Sequence, residues 1–219
     1  MSPWLRIASL ALITAGLVVV LDVAVTLAWR EPLTSIYGAI QRGGLEDEIA
    51  ALEDSFPEVS GPTEAELRRD AARLARRLAA ETGQGEGIGR LVIPAIDVEN
   101  PLVEGTDPGA LEQGPGHYSG TGLPGSGTTV GIAGHRTTYG APFRDIVDLS
   151  EDDEVIVEMP YAKLTYSVDS ARVVEPSDVA IVRKRKDEVL VLTACHPLYS
   201  DAERYAVFAD LEQVAEPED

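Results

Sequence analysis

The first pattern along the chain is an apolar run that no helical or strand periodicity breaks. Ile7 to Trp29 is almost wholly apolar, with Asp22 its one charged residue. As a helix rising 1.5 Å per residue it spans roughly 30–35 Å, enough to cross a bilayer. Trp4 and Trp29 bracket it as interfacial anchors do. A cleaved leader, cut after Thr26-Leu27-Ala28, is the rival reading. The run is longer than a leader's hydrophobic region and bulky Trp29-Arg30 follows, so residues 1–30 read as an uncleaved anchor in membrane lipid. Asp22 lies near the C-terminal end, within reach of the interface. Arg6 precedes the run and Arg30 and Arg42 follow it, so a count of basic residues leaves the orientation open.

Helical spacing takes over next. Leu45–Phe56 and Glu64–Thr82 are predicted helices, and Pro62-Thr63-Glu64 suits a helix start. Leu67, Ala71, Leu74 and Leu78 form one apolar stripe, while Arg68, Arg69, Arg73, Arg76 and Arg77 read as its solvated face. Residues 31–87 are thus expected to form a helical stalk. It closes with Gly83-Gln84-Gly85-Glu86-Gly87, a flexible linker and the expected domain boundary.

From residue 88 to 219 the texture is strands and turns. Predicted strands are Arg90–Ile93, Thr128–Ala133, Glu154–Glu158, Leu164–Val174, Val189–Cys195 and Tyr205–Leu211. Asp107–Gln113 and Pro142–Leu149 are short helix candidates. Many short strands punctuated by Gly and Pro suggest a mostly β fold, a closed or partly closed barrel.

Charge and cysteine usage narrow the function. A net charge of -19, with 37 acidic against 18 basic residues, argues against a nucleic-acid partner. One cysteine excludes an intrachain disulfide and a cysteine-only zinc site. Neither metal nor cofactor is expected, and acidic Glu151–Glu154 reads as a solvated turn.

That cysteine, Cys195, ends the apolar run Val189–Ala194, and Pro197 closes the strand behind it. Arg204 opens the next apolar run. This arrangement suggests a nucleophile with an electrostatic partner. The acid or base must come from three histidines. His196 neighbours Cys195, but successive strand residues face opposite ways. His117 lies in a turn-rich loop with nothing nearby to fix its ring. His135 leaves the apolar strand Val130–Ala133, a polar group at the end of a buried strand like Cys195 itself. His135 is therefore favoured, with His117 and His196 as alternatives. No acidic third member is evident.

The block Gly134-His135-Arg136-Thr137-Thr138-Tyr139-Gly140-Ala141-Pro142-Phe143, the Leu-Thr-Ala-Cys ending at Cys195, and Arg204 together resemble a sortase. So do Val92–Ile96, Pro101–Gly105 and Gly114-Pro115-Gly116-His117-Tyr118. The resemblance covers about Gly89 to Leu211 and is greatest to class E, found mainly in actinobacteria. Sortases are membrane-anchored cysteine transpeptidases of Gram-positive bacteria. The resemblance implies an eight-stranded β-barrel with short helices, a cytoplasmic N-terminus and an extracytoplasmic catalytic domain. It maps the catalytic residues onto Cys195, His135 and Arg204, and suggests Thr193, Ala194, His117, Tyr118 and Tyr139 as substrate contacts. It implies proteins bearing an LAxTG- or LPxTG-like signal as substrates and a lipid II-like cell-wall amine as acceptor. A pilus-polymerising sortase, a hydrolytic cysteine peptidase and a silent envelope-binding barrel are the rival functions. One feature departs from the family's Thr-Leu-x-Thr-Cys: Val191 and Ala194 stand where it has threonines, which points to altered rate or substrate preference.

Overall fold

Strand β7, Val189–His196, sets the layout, because its side chains alternate strictly between two apolar environments. Leu190, Leu192 and Ala194 point into the main core, whereas Val189 and Val191 join Ile181, Ala206 and Phe208 in a second cluster. A strand buried on both faces needs apolar residues on both, which is why this stretch reads as a continuous apolar run.

The computed structural model describes residues 3–29 and 32–217, with side chains for 3–21 and 43–217. The strands are β1 (Gly87–Ile93), β2 (Val98–Glu104), β3 (Gly116–His117), β4 (Val130–Ala133), β5 (Glu154–Met159), β6 (Ala162–Val174), β7 and β8 (Glu203–Ala215). They close into a mixed barrel in the order β1-β2-β3-β4-β7-β8-β6-β5. Pairs β2/β3 and β4/β7 are parallel, and the remaining neighbours are antiparallel. All six predicted strands are present; β2 and β3 were not foreseen. Asp107 caps the short helix α4 (Pro108–Leu111) by accepting from the Gly109 and Ala110 amides. The Pro142–Leu149 helix shrinks to a single 3-10 turn, Ile146–Asp148.

Helix α1 (Pro3–Trp29) contains an apolar stretch, Pro3–Leu21, long enough to cross a membrane, and the side chains of that stretch are exposed all round. The side chains of Asp22, Trp29, Arg30 and Arg42 lie outside the described ones. Helices α2 (Pro32–Ser55) and α3 (Glu64–Glu81) cover the predicted stalk. Both lie against the barrel. Leu45 and Ile49 of α2, Phe56 and Val59 beyond it, and Ala71, Leu74, Ala75 and Leu78 of α3 are buried. Arg90 of β1 pairs with Glu46 and Glu53 of α2, and Arg68 of α3 donates to the Leu211 and Glu212 carbonyls of β8. The Gly83–Gly87 segment marks the change from helix to strand. It is tied down by the Gly85 amide to the Glu104 carbonyl at 2.8 Å and by the Glu104 amide to the Glu86 carbonyl at 2.9 Å.

Candidate active site

Register explains how Cys195 acquires neighbours. Strands β4 and β7 run parallel with Ala133 beside Thr193, and the Gly134 amide donates to the Thr193 carbonyl at 3.0 Å. Two residues further along each chain, on the same outward parity, stand His135 and Cys195. On the other side, β8 runs antiparallel and sets Arg204 directly opposite Cys195. Residues directly opposite in such a ladder share a sheet face. Thus the thiol stands at one barrel mouth with the imidazole's strand on one flank and the guanidinium's on the other. A cleft of about 320 Å³ opens there, lined by His135, Arg136, Thr137, Cys195, Tyr199, Ser200 and Asp201. Cys195 is a partly exposed free thiol.

Arg204 is steered by backbone. Its Nη1 donates to the Asp201 and Glu203 carbonyls, both at 2.9 Å, which ties it to the β7–β8 connection. Burial pushes the His135 imidazole below its ordinary value, and the Glu112 carboxylate opposes that shift. Gly134, just before the histidine, has no room for a side chain: a Cβ would sit 2.5 Å from the Phe143 ring.

Sequence reasoning did not single out Arg136. It is 6% exposed, a cation almost fully withdrawn from water. Its Nε and Nη2 donate to the Arg144 carbonyl at 3.1 Å and its Nη1 to the Cys195 carbonyl at 3.3 Å. It therefore clips the histidine loop to the end of the Cys195 strand. The fork of donors on a guanidinium is what makes such a two-ended clip feasible.

The suggested substrate contacts divide. Thr193 shares the outward face with Cys195, and its hydroxyl meets the Tyr118 hydroxyl at 2.8 Å. Tyr139 packs beside His135, ring centroids 5.4 Å apart. Ala194 and His117 lie away from the cleft. Ala194 points into the barrel core, so a hydroxyl there would enter the interior rather than meet a substrate. Val191, the other departure, is wholly buried in the outer cluster. His196 turns away from the thiol, as strand alternation predicts, and packs on Tyr205.

His117 is buried with both ring nitrogens engaged, Nδ1 with Glu104 Oε2 at 2.6 Å and Nε2 with the Gly122 carbonyl at 2.9 Å. This is a loop staple. Burial alone would push the Glu104 carboxyl up, but His117 and the Ser119 hydroxyl outweigh it and hold it below its ordinary value. A carboxylate so held contributes stability that is full above its unfolded pKa of about 4.3 and is lost as pH falls through the lowered folded value. Glu104→Gln is expected to melt below the parent at neutral pH, and the gap to narrow as pH falls below the unfolded value of about 4.3. Thermal melts at neutral pH and below that value check this; a gap that does not narrow in acid contradicts it.

Known proteins share this architecture. The Sortase domain family model matches residues 91–212. The chain belongs to the sortase family. Sortase D of Bacillus subtilis is 35% identical over 140 residues, covering 62% of this chain and 68% of that protein. Sortase SrtE1 of Streptomyces coelicolor is 32% identical over 143 residues, covering 58% of this chain and 41% of that one. The crystal structure of sortase E1 from Streptomyces coelicolor with a tripeptide in the active site superposes with a TM-score of 0.57 at 29% identity, covering 60% of this chain and 91% of that chain. The family is one of cysteine transpeptidases, and its closed eight-stranded barrel is the fold found here.

Proposed function

We propose that this sortase cleaves a C-terminal LAxTG- or LPxTG-like sorting signal through a thioester on Cys195 and joins the freed carboxyl end to a cell-wall amine. The observation that carries the reading is the three-strand register: Cys195 on β7, His135 leaving β4 beside it, and Arg204 opposite on β8. The Cys195 thiolate attacks the scissile carbonyl. Imidazolium His135 gives its proton to the departing amine as the carbon–nitrogen bond breaks, leaving an acyl-thioester. The incoming amine attacks that thioester, neutral His135 takes its proton, and the thiolate departs. Arg204 stabilises the oxyanion of each tetrahedral stage or holds the peptide backbone. Tyr118, which covers the buried Thr193 hydroxyl, and Tyr139 are proposed to meet the peptide.

Helix α1 is the proposed anchor, with the N-terminus in the cytoplasm and the barrel outside. The acceptor is then the amine of a lipid II-like precursor. To test this, the full chain in detergent is mixed with LAxTG and LPxTG peptides, with and without a short amine. Mass spectrometry is expected to show the peptide joined to the amine. No cleavage of either peptide overturns the signal assignment, and hydrolysis alone in excess amine assigns a peptidase instead.

A further inference from the structure

No acidic partner for His135 can be read from the sequence, but the fold brings one from a distant element. Burial disfavours the imidazolium that leaving-group protonation needs, and Glu112, at the C-cap of α4, is the charge that opposes it. Tyr139 holds Glu112 there. Its hydroxyl donates to Glu112 Oε1 at 3.1 Å, while its ring lies 5.4 Å from the imidazole, tilted by 38°. One tyrosine therefore bridges the carboxylate and the histidine.

The backbone is shaped for that bridge. Tyr139, Gly140 and Ala141 have φ of 53°, 82° and 48°, three left-handed residues in a row. Two of them carry a Cβ, for which this region is unfavourable. Hydrogen bonds from the Ala141 amide to the Thr138 carbonyl and from the Phe143 amide to the His135 carbonyl close the loop over the histidine.

We propose that Glu112 and Tyr139 are a positioning pair for His135: the carboxylate sustains the imidazolium, and the tyrosine fixes both. The inference rests on His135 being the proton donor. The other titratable or charged groups of this site are Cys195 on β7, Arg204 opposite it on β8, Arg136 in the histidine's own loop, and Tyr199 and Asp201 of the β7–β8 connection. Arg136 is committed to two backbone carbonyls. Glu112 acts from the C-cap of α4, tied to the histidine's loop through Tyr139.

The test reads the histidine directly. The chain has three histidines, so the His135 imidazole resonance of the full chain in micelles is assigned by its loss in His135→Ala. In a Cys195→Ala background, Glu112→Gln and Tyr139→Phe are each expected to lower the His135 titration midpoint. The double variant is expected to match Glu112→Gln, since the tyrosine acts through the carboxylate. In active enzyme the histidine limb of the pH–kcat profile moves to lower pH. For Glu112→Gln, kcat falls about tenfold with KM unchanged, against ~10²–10⁴-fold for losing a general acid outright. Glu112→Asp restores part of the loss.

An unchanged midpoint in a folded Glu112→Gln chain overturns the proposal. So does a rate loss with no movement of the limb, which marks a purely structural staple. Should Glu112→Gln not fold, Tyr139→Phe, which keeps the ring, decides alone. A fully active His135→Ala would instead sink the catalytic reading, and it would do so whatever the titration shows.

Discussion

Cys195→Ala is expected to abolish cleavage of the signal peptide while the chain stays folded. Nothing else at the barrel mouth can take over the attack, because the sequence has one thiol. The substitution removes only a sulfur from a partly exposed position, so the barrel has little to lose. His135→Ala is expected to cost ~10²–10⁴-fold in kcat through loss of the proton donor. Arg204→Ala is expected to cost ~10²–10³-fold, the usual penalty for one oxyanion donor. Double variants are expected to be little worse than the least active single one, the behaviour of residues that act as a unit. Peptide cleavage followed by chromatography, beside a circular dichroism melt of each variant, provides the measurement. A Cys195→Ala chain that still cleaves at the parent rate removes the nucleophile assignment. An inactive His117→Ala beside an active His135→Ala would move the proton donor to β3, against the buried, doubly engaged ring seen there.

What was legible in the chain, and what was not, follows from how local the signal is. β7 could be read because a strand buried on both faces must be apolar throughout, and His135 because a polar residue leaving such a strand is conspicuous. β3 could not: Gly116–His117 is two residues long and exists only because β2 and β4 flank it. β2 was hidden by Pro101, which reads as a break although it pairs with Arg90. Ala194 looked like a change beside the substrate because sequence adjacency to Cys195 suggests spatial adjacency. Strand alternation sends it into the core instead. Glu112 and Arg136 were silent for a related reason: each works through a partner that only tertiary packing supplies.

A chain beginning at Ile88 is expected to fail as a stable domain, although the helix-to-strand boundary lies just before it. The apolar stripe on α3 is not spare surface. Leu74 and Leu78 are fully covered, as is Ile49 of α2, and burying such side chains contributes ~1.5–3 kcal/mol each. Removing the helices also removes the cost of ordering them, so the decisive loss lies on the barrel. Tyr161, wholly buried, packs its ring 6.1 Å from that of Phe56, and its carbonyl accepts from the Val59 amide. Gly125 lies against Ala71, so its loop would lose its cover. Arg90 would lose both carboxylate partners at once. Against a typical net stability of about 5–15 kcal/mol, an opened core wall of this extent is not survivable. A chain of residues 43–219 retains every one of these contacts and is expected to melt cooperatively and cleave peptide. The residue 88–219 chain is expected to aggregate or to bind a hydrophobic dye without a cooperative melt. Equal melting temperatures for the two would show that α2 and α3 are accessories to the barrel rather than part of its core.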